Sequence, residues 1–264
     1  MKKYFTAITI YWQRALTYRF SIVAYRIGEV TETLVLILLW TAIYEGQELI
    51  RGFTLEEMVT YVLMGTLFSV ATRNFGTGLI AREIKDGILS TLLVKPINYL
   101  AYDFFRGLGR RTFVSGFSVL SQLIVMLFFL DTLILNLDFK TNALILVMLI
   151  LTLLIESLLS YLLGLIAFWT DEVDGIFETF GRIRQFFAGG YFPLSLLPLT
   201  FLQISFALPF AYSFFVPAQL YLGKMDFATG VKGLGVQVIW IFILYAIIQF
   251  VWKRGLRRYE GIGI

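Results

Sequence analysis

The stretch AREIKDGILSTLLVKPIN, residues 81–98, lies between two apolar runs, Met58–Ile80 and Phe113–Leu130, each long enough to cross a bilayer. Within it Ile84, Ile88 and Leu92 recur every four residues, with Leu89 and Leu93 beside them, which paints one apolar stripe along a helix. Arg82, Glu83, Lys85 and Asp86 crowd the first turn, and Lys95-Pro96 ends the pattern. A loop that only reversed the chain would need no such stripe. Two readings fit it: a short helix flat at a membrane face that docks against another molecule, and an interfacial helix resting in the headgroups. In both, the stretch joins two spans of a polytopic all-α membrane protein.

Composition agrees. The chain has 264 residues, 58% hydrophobic and 15% charged, with a mean hydropathy of +0.79. A soluble domain carries about 25% charged residues and roughly 45–50% apolar ones. With no Cys there are no disulfides, thiol nucleophiles or thiolate metal sites. With no His either, zinc sites, Ser-His-Asp triads and haem ligation are excluded. The basic isoelectric point, near 9.2, is explained by membrane topology rather than by nucleic acid.

The organisation follows outward from the stretch as a single transmembrane domain over residues 1–264. Residues 1–19 are too polar for a span and lack a signal peptide's cleavage site. Phe5, Ile8, Trp12 and Leu16 share one face there, opposite Lys3, Gln13 and Arg14, which predicts an amphipathic helix in the membrane interface. Six spans are expected: about Ser21–Tyr44, Met58–Ile80, Arg111–Leu130, Ala143–Trp169, Gly175–Leu194 and Val236–Trp252. Arg26, Glu29 and Glu32 lie deep in the first. Arg26 and Glu29, three apart, share a face, either as an ion pair turned to other helices or as the polar lining of a transport path. Glu156 falls near the middle of the fourth span, as a buried partner for Arg184 or Arg26 or as a functional carboxylate. Asp171-Glu-Val-Asp174-Gly175 begins like a membrane phosphotransferase motif, but the required continuation is absent.

Residues 186–223 hold four of the five prolines, Pro193, Pro198, Pro209 and Pro217, together with Gly189-Gly190. The segment is apolar yet too proline-rich for one straight helix. Broken backbone at membrane depth survives only inside protein or beside a water-lined cavity. Short re-entrant helices over residues 190–217 satisfy that condition. The positive-inside rule then orients the chain. Lys2, Lys3, Arg14 and Arg19, the cluster from Arg82 to Arg111, and the tail Lys253, Arg254, Arg257 and Arg258 fall on one side. Only Arg51, Lys140, Lys224 and Lys232 fall on the other. Both termini and the striped stretch are therefore expected in the cytoplasm of a cell-membrane protein, with the proline-rich segment opening outside.

This constellation resembles the membrane subunit of a type-2 ATP-binding-cassette exporter. Glu83-Ile-Lys-Asp-Gly87-Ile-Leu89, Leu92-Leu93 and Pro96 are similar to that family's coupling segment. Gly190-Tyr-Phe-Pro193 through Pro198, then Leu208-Pro209-Phe210 and Pro217-Ala218, are similar to its stretch after span five, in the manner of the drug and viologen exporters. The resemblance implies that the striped helix docks in a groove of a nucleotide-binding subunit, with Ile84, Ile88, Leu89, Leu92 and Leu93 as docking face. It further implies that Gly87 permits close approach and that Glu83 pairs with a basic residue of that partner. Gly190, Pro193, Pro198 and Pro209 would shape an external gate. The chain has no G-x-x-x-x-G-K-[ST] stretch, so ATP and Mg belong to the partner, expected in two copies. One chain supplies half a path, and a second membrane subunit, identical or related, completes a dimer. Phe-rich, charge-poor spans suit hydrophobic or amphiphilic cargo, as in multidrug efflux, and equally suit any lipid-facing surface. The alternative reading is a secondary carrier driven by an ion gradient, with Glu156, Glu29 and Glu32 as relays.

Overall fold

The computed structural model of the chain describes residues 19–72 and 79–259, and every regular element among them is helical. The interfacial helix expected over residues 1–19 lies, but for Arg19, outside the described residues, as do Arg73, Asn74, Gly76 and Gly78. Helix α1 covers Arg19–Ile43, α2 Leu55–Thr72, α3 Leu79–Lys85, α4 Ile88–Leu93 and α5 Tyr99–Leu127. Helix α6 covers Phe139–Gly164 and is prolonged by a 3₁₀ turn, Leu165–Phe168. Then come α7 Asp174–Ala188, α8 Leu199–Ala207, α9 Phe215–Tyr221 and α10 Phe227–Arg258.

Helix starts follow local rules. Thr54 and Glu57 form a reciprocal capping box at the head of α2, and Asn98, Asp138 and Asp226 cap α5, α6 and α10. The hydroxyl and backbone N–H of Thr141 hold the Asp138 carboxyl below its ordinary range, and Thr229 does the same for Asp226. Phe139–Phe168 and Phe227–Arg258 are each long and apolar enough to cross a bilayer. They run parallel and pack along their length, with Gln237 donating to the carbonyl of Met148 (3.1 Å) and the hydroxyl of Thr152 (2.9 Å).

Two ends of the bundle are defined by contacts. At one, Lys224 reaches the Gly52 carbonyl (2.6 Å) and Glu57 (2.9 Å), and Asn136 bonds the Tyr221 carbonyl (2.7 Å). At the other, α3 and α4 meet the Leu165–Phe168 turn and the C-terminal part of α10. The basic residues counted on opposite sides in the sequence thus separate in the fold: Lys224 lies at the first end, Lys85 and Arg106 at the second.

Between α7 and α10 the chain dips into the bundle and returns. Helix α8 ends where the Ala207 carbonyl accepts from Trp240, near the middle of α10, and the Tyr212 carbonyl accepts from Thr152, near the middle of α6. Helix α9, buried throughout, leads back to the Lys224 end. The breaks fall at Gly189-Gly190, Pro193, Pro198 and Leu208-Pro209, where the prolines placed them. The fifth expected span is shorter than anticipated. Helix α7 has 15 residues, about 22 Å at 1.5 Å each. It stops at Gly189, whose left-handed φ of 80° lets Gly190 N–H bond the Gln185 carbonyl at 2.9 Å.

Close packing around α9 gives a stability test. A Cβ on Gly65 would fall against the Phe214 ring, whereas one on Gly28 meets nothing within 4 Å. Overpacking of this kind costs about 1–3 kcal/mol. Gly65→Ala should lower the thermal midpoint of the detergent-solubilised protein, and Gly28→Ala should hold or raise it. Equal midpoints for the two variants would remove the close helix approach at Gly65.

Candidate functional site

The single helix expected over residues 81–98 is two helices. Helix α3 ends at Lys85, and Gly87 turns left-handed, φ 71°, before α4 begins. That backbone conformation favours glycine on its own account. The turn also divides the stripe. Ile84, Leu89 and Leu92 are 5%, 0% and 7% exposed, against 46%, 41% and 84% for Ile88, Leu93 and Val94. The first three pack with Tyr161, Leu165, Phe168 and Ile248 of the same chain. The expected five-residue docking face is therefore corrected. Ile84, Leu89 and Leu92 root the α3–α4 pair in its own bundle, while Ile88, Leu93, Val94 and Pro96 form an exposed tip.

Glu83 anchors the root. Its carboxylate accepts from the Tyr99 hydroxyl and from Arg106, whose other nitrogen also reaches Asp103 at 2.6 Å. The expectation that Glu83 pairs with a partner's basic residue is replaced by this internal clasp. Burial, reinforced by the charges of Asp103 and Glu83, pushes the Tyr99 phenol well above its ordinary range, so it stays a donor. Burial also raises the Asp103 carboxyl, against the pull of Arg106. The Tyr99 ring stacks on Trp252 of α10 (5.4 Å, 12°), and Trp252 meets Phe168 edge-on at 6.0 Å. Lys85 donates to the Asp171 carbonyl, tying α3 to the turn before α7. One carboxylate thus links α3 to α5, and one aromatic stack links α5 to α10. Sequence reasoning counted Arg106 only as a flanking charge and overlooked Tyr99, Asp103 and Trp252. The only trace was that Glu83, Tyr99, Asp103 and Arg106 are polar or aromatic residues next to a span.

The charges expected inside the spans come together in pairs. Arg26 and Glu29 form an ion pair at 2.9 Å, and Arg26 also donates to the Val114 carbonyl of α5. Glu156 pairs with Arg184 of α7. Glu32 accepts from the Gln185 amide at 3.0 Å. A cleft lined by Glu29, Glu32, Thr33, Ser69, Arg184 and Gln185 runs between α1, α2 and α7. Below it Gln122 of α5 bridges Thr33 (3.3 Å) and Thr66 (2.7 Å). Gly190, Pro193, Pro198 and Pro209 all fall between helical elements. They mark successive corners of the dipping segment, and Tyr61 donates to the Gly189 carbonyl at 2.7 Å beside the first.

The family model described as ABC-2 family transporter protein matches residues 30–263. No curated protein matches the chain.

The Glu83 clasp is testable through a double-mutant cycle. Breaking one side of a largely buried pair costs about 3–5 kcal/mol. Glu83→Ala and Arg106→Ala should each lower the thermal midpoint, and the double variant should lose much less than their sum. Additive losses would show that the two side chains do not act together.

Proposed function

The chain belongs to the ABC-2 family of transporter proteins, and on that premise we propose that it is the membrane-spanning subunit of an ATP-driven exporter. Its location is the membrane, and its role is that of a transporter component. The proposal goes further on four points. The α3–α4 tip faces the cytoplasm with both termini, in the cell membrane. It docks a separate nucleotide-binding subunit, present twice, which holds ATP and Mg. A second membrane subunit, identical or related, completes the path. The cargo is hydrophobic or amphiphilic, as in drug and viologen efflux.

The observation that carries this reading is the division of α3–α4 into a rooted face and a bare tip. A six-residue helix cannot stand alone in water. Its apolar tip residues nonetheless project from a root fixed by the Glu83 clasp. That is the form of a lever that a partner holds. The carrier alternative has less support, because Glu29 and Glu156 are each ion-paired and so are occupied by structural work. A second membrane subunit is favoured by α7, which exposes Asp174, Glu178 and Arg182 along one side. Such a face does not suit lipid, and it lies beside the cleft that holds Glu32. The segment from Gly190 to Pro217 is then a re-entrant element, closing the external side of the path.

Docking gives the direct test. Burying each large tip side chain in a groove is worth about 1.5–3 kcal/mol. Ile88→Asp with Leu93→Asp should leave a monodisperse protein that no longer co-purifies with its ATPase from native membranes. Leu89→Asp, by contrast, should fail to fold. Retention of a normally stimulated ATPase by the Ile88/Leu93 variant would overturn the docking assignment.

Orientation is tested separately. No native Cys is present, so cysteines at Ser195 and Gln203, both exposed, report without background. An impermeant thiol reagent should label them in intact cells, and a cysteine at Val94 only after lysis. The reverse pattern would invert the topology and remove the export direction.

A further inference from the structure

Beside the Glu83 clasp, α5 and α6 are separated by a cavity of about 370 Å³, within the range of small-molecule sites. It extends from Asn98, the cap of α5, to Tyr245 on α10, and Leu79 and Ile80 of α3 close one side. Nothing in the docking or gating reading uses it. Its lining has two characters. Toward the α3–α4 end stands Asp103, beside Phe104 and Phe105 on α5, with Tyr161 of α6 also in the lining. Along α6 the lining is mixed, Leu154 and Leu158 supplying apolar surface beside the hydroxyls of Ser157 and Ser160.

The charge balance at the polar end is uneven. Among the described residues, Asp103 and Glu83 ion-pair with the same guanidinium, that of Arg106. Two carboxylates therefore share one cation in a partly desolvated corner, and Asp103 is the one that lines the cavity. Aromatic faces beside a carboxylate form the environment in which substituted ammonium groups bind, through cation–π attraction and the opposite charge. A phosphate-bearing headgroup would meet the same two carboxylates as repulsion.

From this geometry we infer that the cavity is a binding site for an organic ammonium amphiphile, its cationic head against Asp103 and the aromatic wall and its apolar body along α6 toward Tyr245. Its lining includes Leu79 and Ile80 of α3. On the exporter reading, the site admits cargo laterally from the cytoplasmic leaflet. That last step rests on the function proposed above, whereas the binding itself does not.

The test uses the full chain in phosphatidylcholine nanodiscs, with empty discs as background. The probe is radiolabelled dodecyltrimethylammonium, compared with its neutral analogue carrying a tert-butyl group in place of the trimethylammonium. Saturable binding is expected for the cation, at least tenfold tighter than for the analogue. Asp103→Asn should bring the cation down to the level of the analogue, and Asp103→Glu should restore most of the difference. Ala101→Trp, which fills the cavity away from the ion pairs, should abolish saturable binding of both. Three results would overturn the inference: equal affinity for cation and analogue, unchanged binding in Asp103→Asn, or unchanged binding in Ala101→Trp. If Asp103→Asn does not fold, the Ala101→Trp variant and the cation–analogue comparison decide alone. Intact binding without ATP-dependent transport in reconstituted complex would refute the exporter reading and leave the site standing.

Discussion

A backbone broken inside a packed bundle leaves carbonyls that need donors, and the helices around the break in this fold supply them. The segment between α7 and α10 breaks repeatedly, and side chains meet the freed carbonyls. Tyr61 caps Gly189 (2.7 Å), Tyr212 caps Phe206 (2.8 Å), Trp240 caps Ala207 (2.9 Å) and Thr152 caps Tyr212. The donors come from α2, α6, α10 and the segment itself, so the dip is held on three sides. Close packing of these helices is then a condition for the breaks, which explains why Gly65, Gly230 and Gly233 face Phe214, Leu220 and Tyr212. Each glycine lets a ring or branched side chain of the segment lie where a Cβ would stand. An unmet carbonyl in such a place costs more than a hydrogen bond gains in water.

The ionic groups obey the same economy. Arg26 with Glu29, and Arg184 with Glu156, neutralise each other within the bundle. The first pair is local, one turn apart, and its Arg26 also reaches the Val114 carbonyl of α5. The second joins α6 to the short α7, whose 15 residues and one charged side give it few apolar contacts of its own. Glu156 thus places α7 where its exposed side borders the cleft with Glu32. Of the two readings the sequence left for this carboxylate, the ion pair with Arg184 is the one the fold displays.

How much of this the sequence displayed depends on whether the determining partner is near in the chain. Proline sets its own φ and removes its own donor, so the breaks at Pro193, Pro198 and Pro209 were readable from single residues. Arg26 and Glu29 were readable because three residues of helix bring them together. Glu83 was not, since its partner Arg106 lies 23 residues away across a helix start. The stripe was misread for a subtler reason. Ile84, Ile88 and Leu92 do keep a helical period, but the left-handed Gly87 restarts the helix between them and turns Ile88 outward. Asp86-Gly87 is a turn signal in its own right, and it competed with a periodicity that pointed to one continuous helix. Where a periodic pattern contains such a dipeptide, the pattern alone does not fix which residues share a face.

That misreading bears on how force would pass through the chain. A single helix with all five residues on one face would give its partner a broad grip but leave the helix tied to the bundle only at its ends. The divided arrangement does the reverse. Leu89, fully buried, and Ile84 and Leu92 hold the pair to the Leu165–Phe168 turn and to α10, and Glu83 binds it to α5. Ile88, Leu93, Val94 and Pro96 stay exposed at the tip. Displacing that small tip must move the root, because packed side chains do not compress. The root touches α5 and α10 through Tyr99 and Trp252. Motion at the tip is therefore delivered first to α5 and α10, the two helices that, with α6, border the Asp103 cavity. The α3–α4 root and the wall of the cavity are one packed unit.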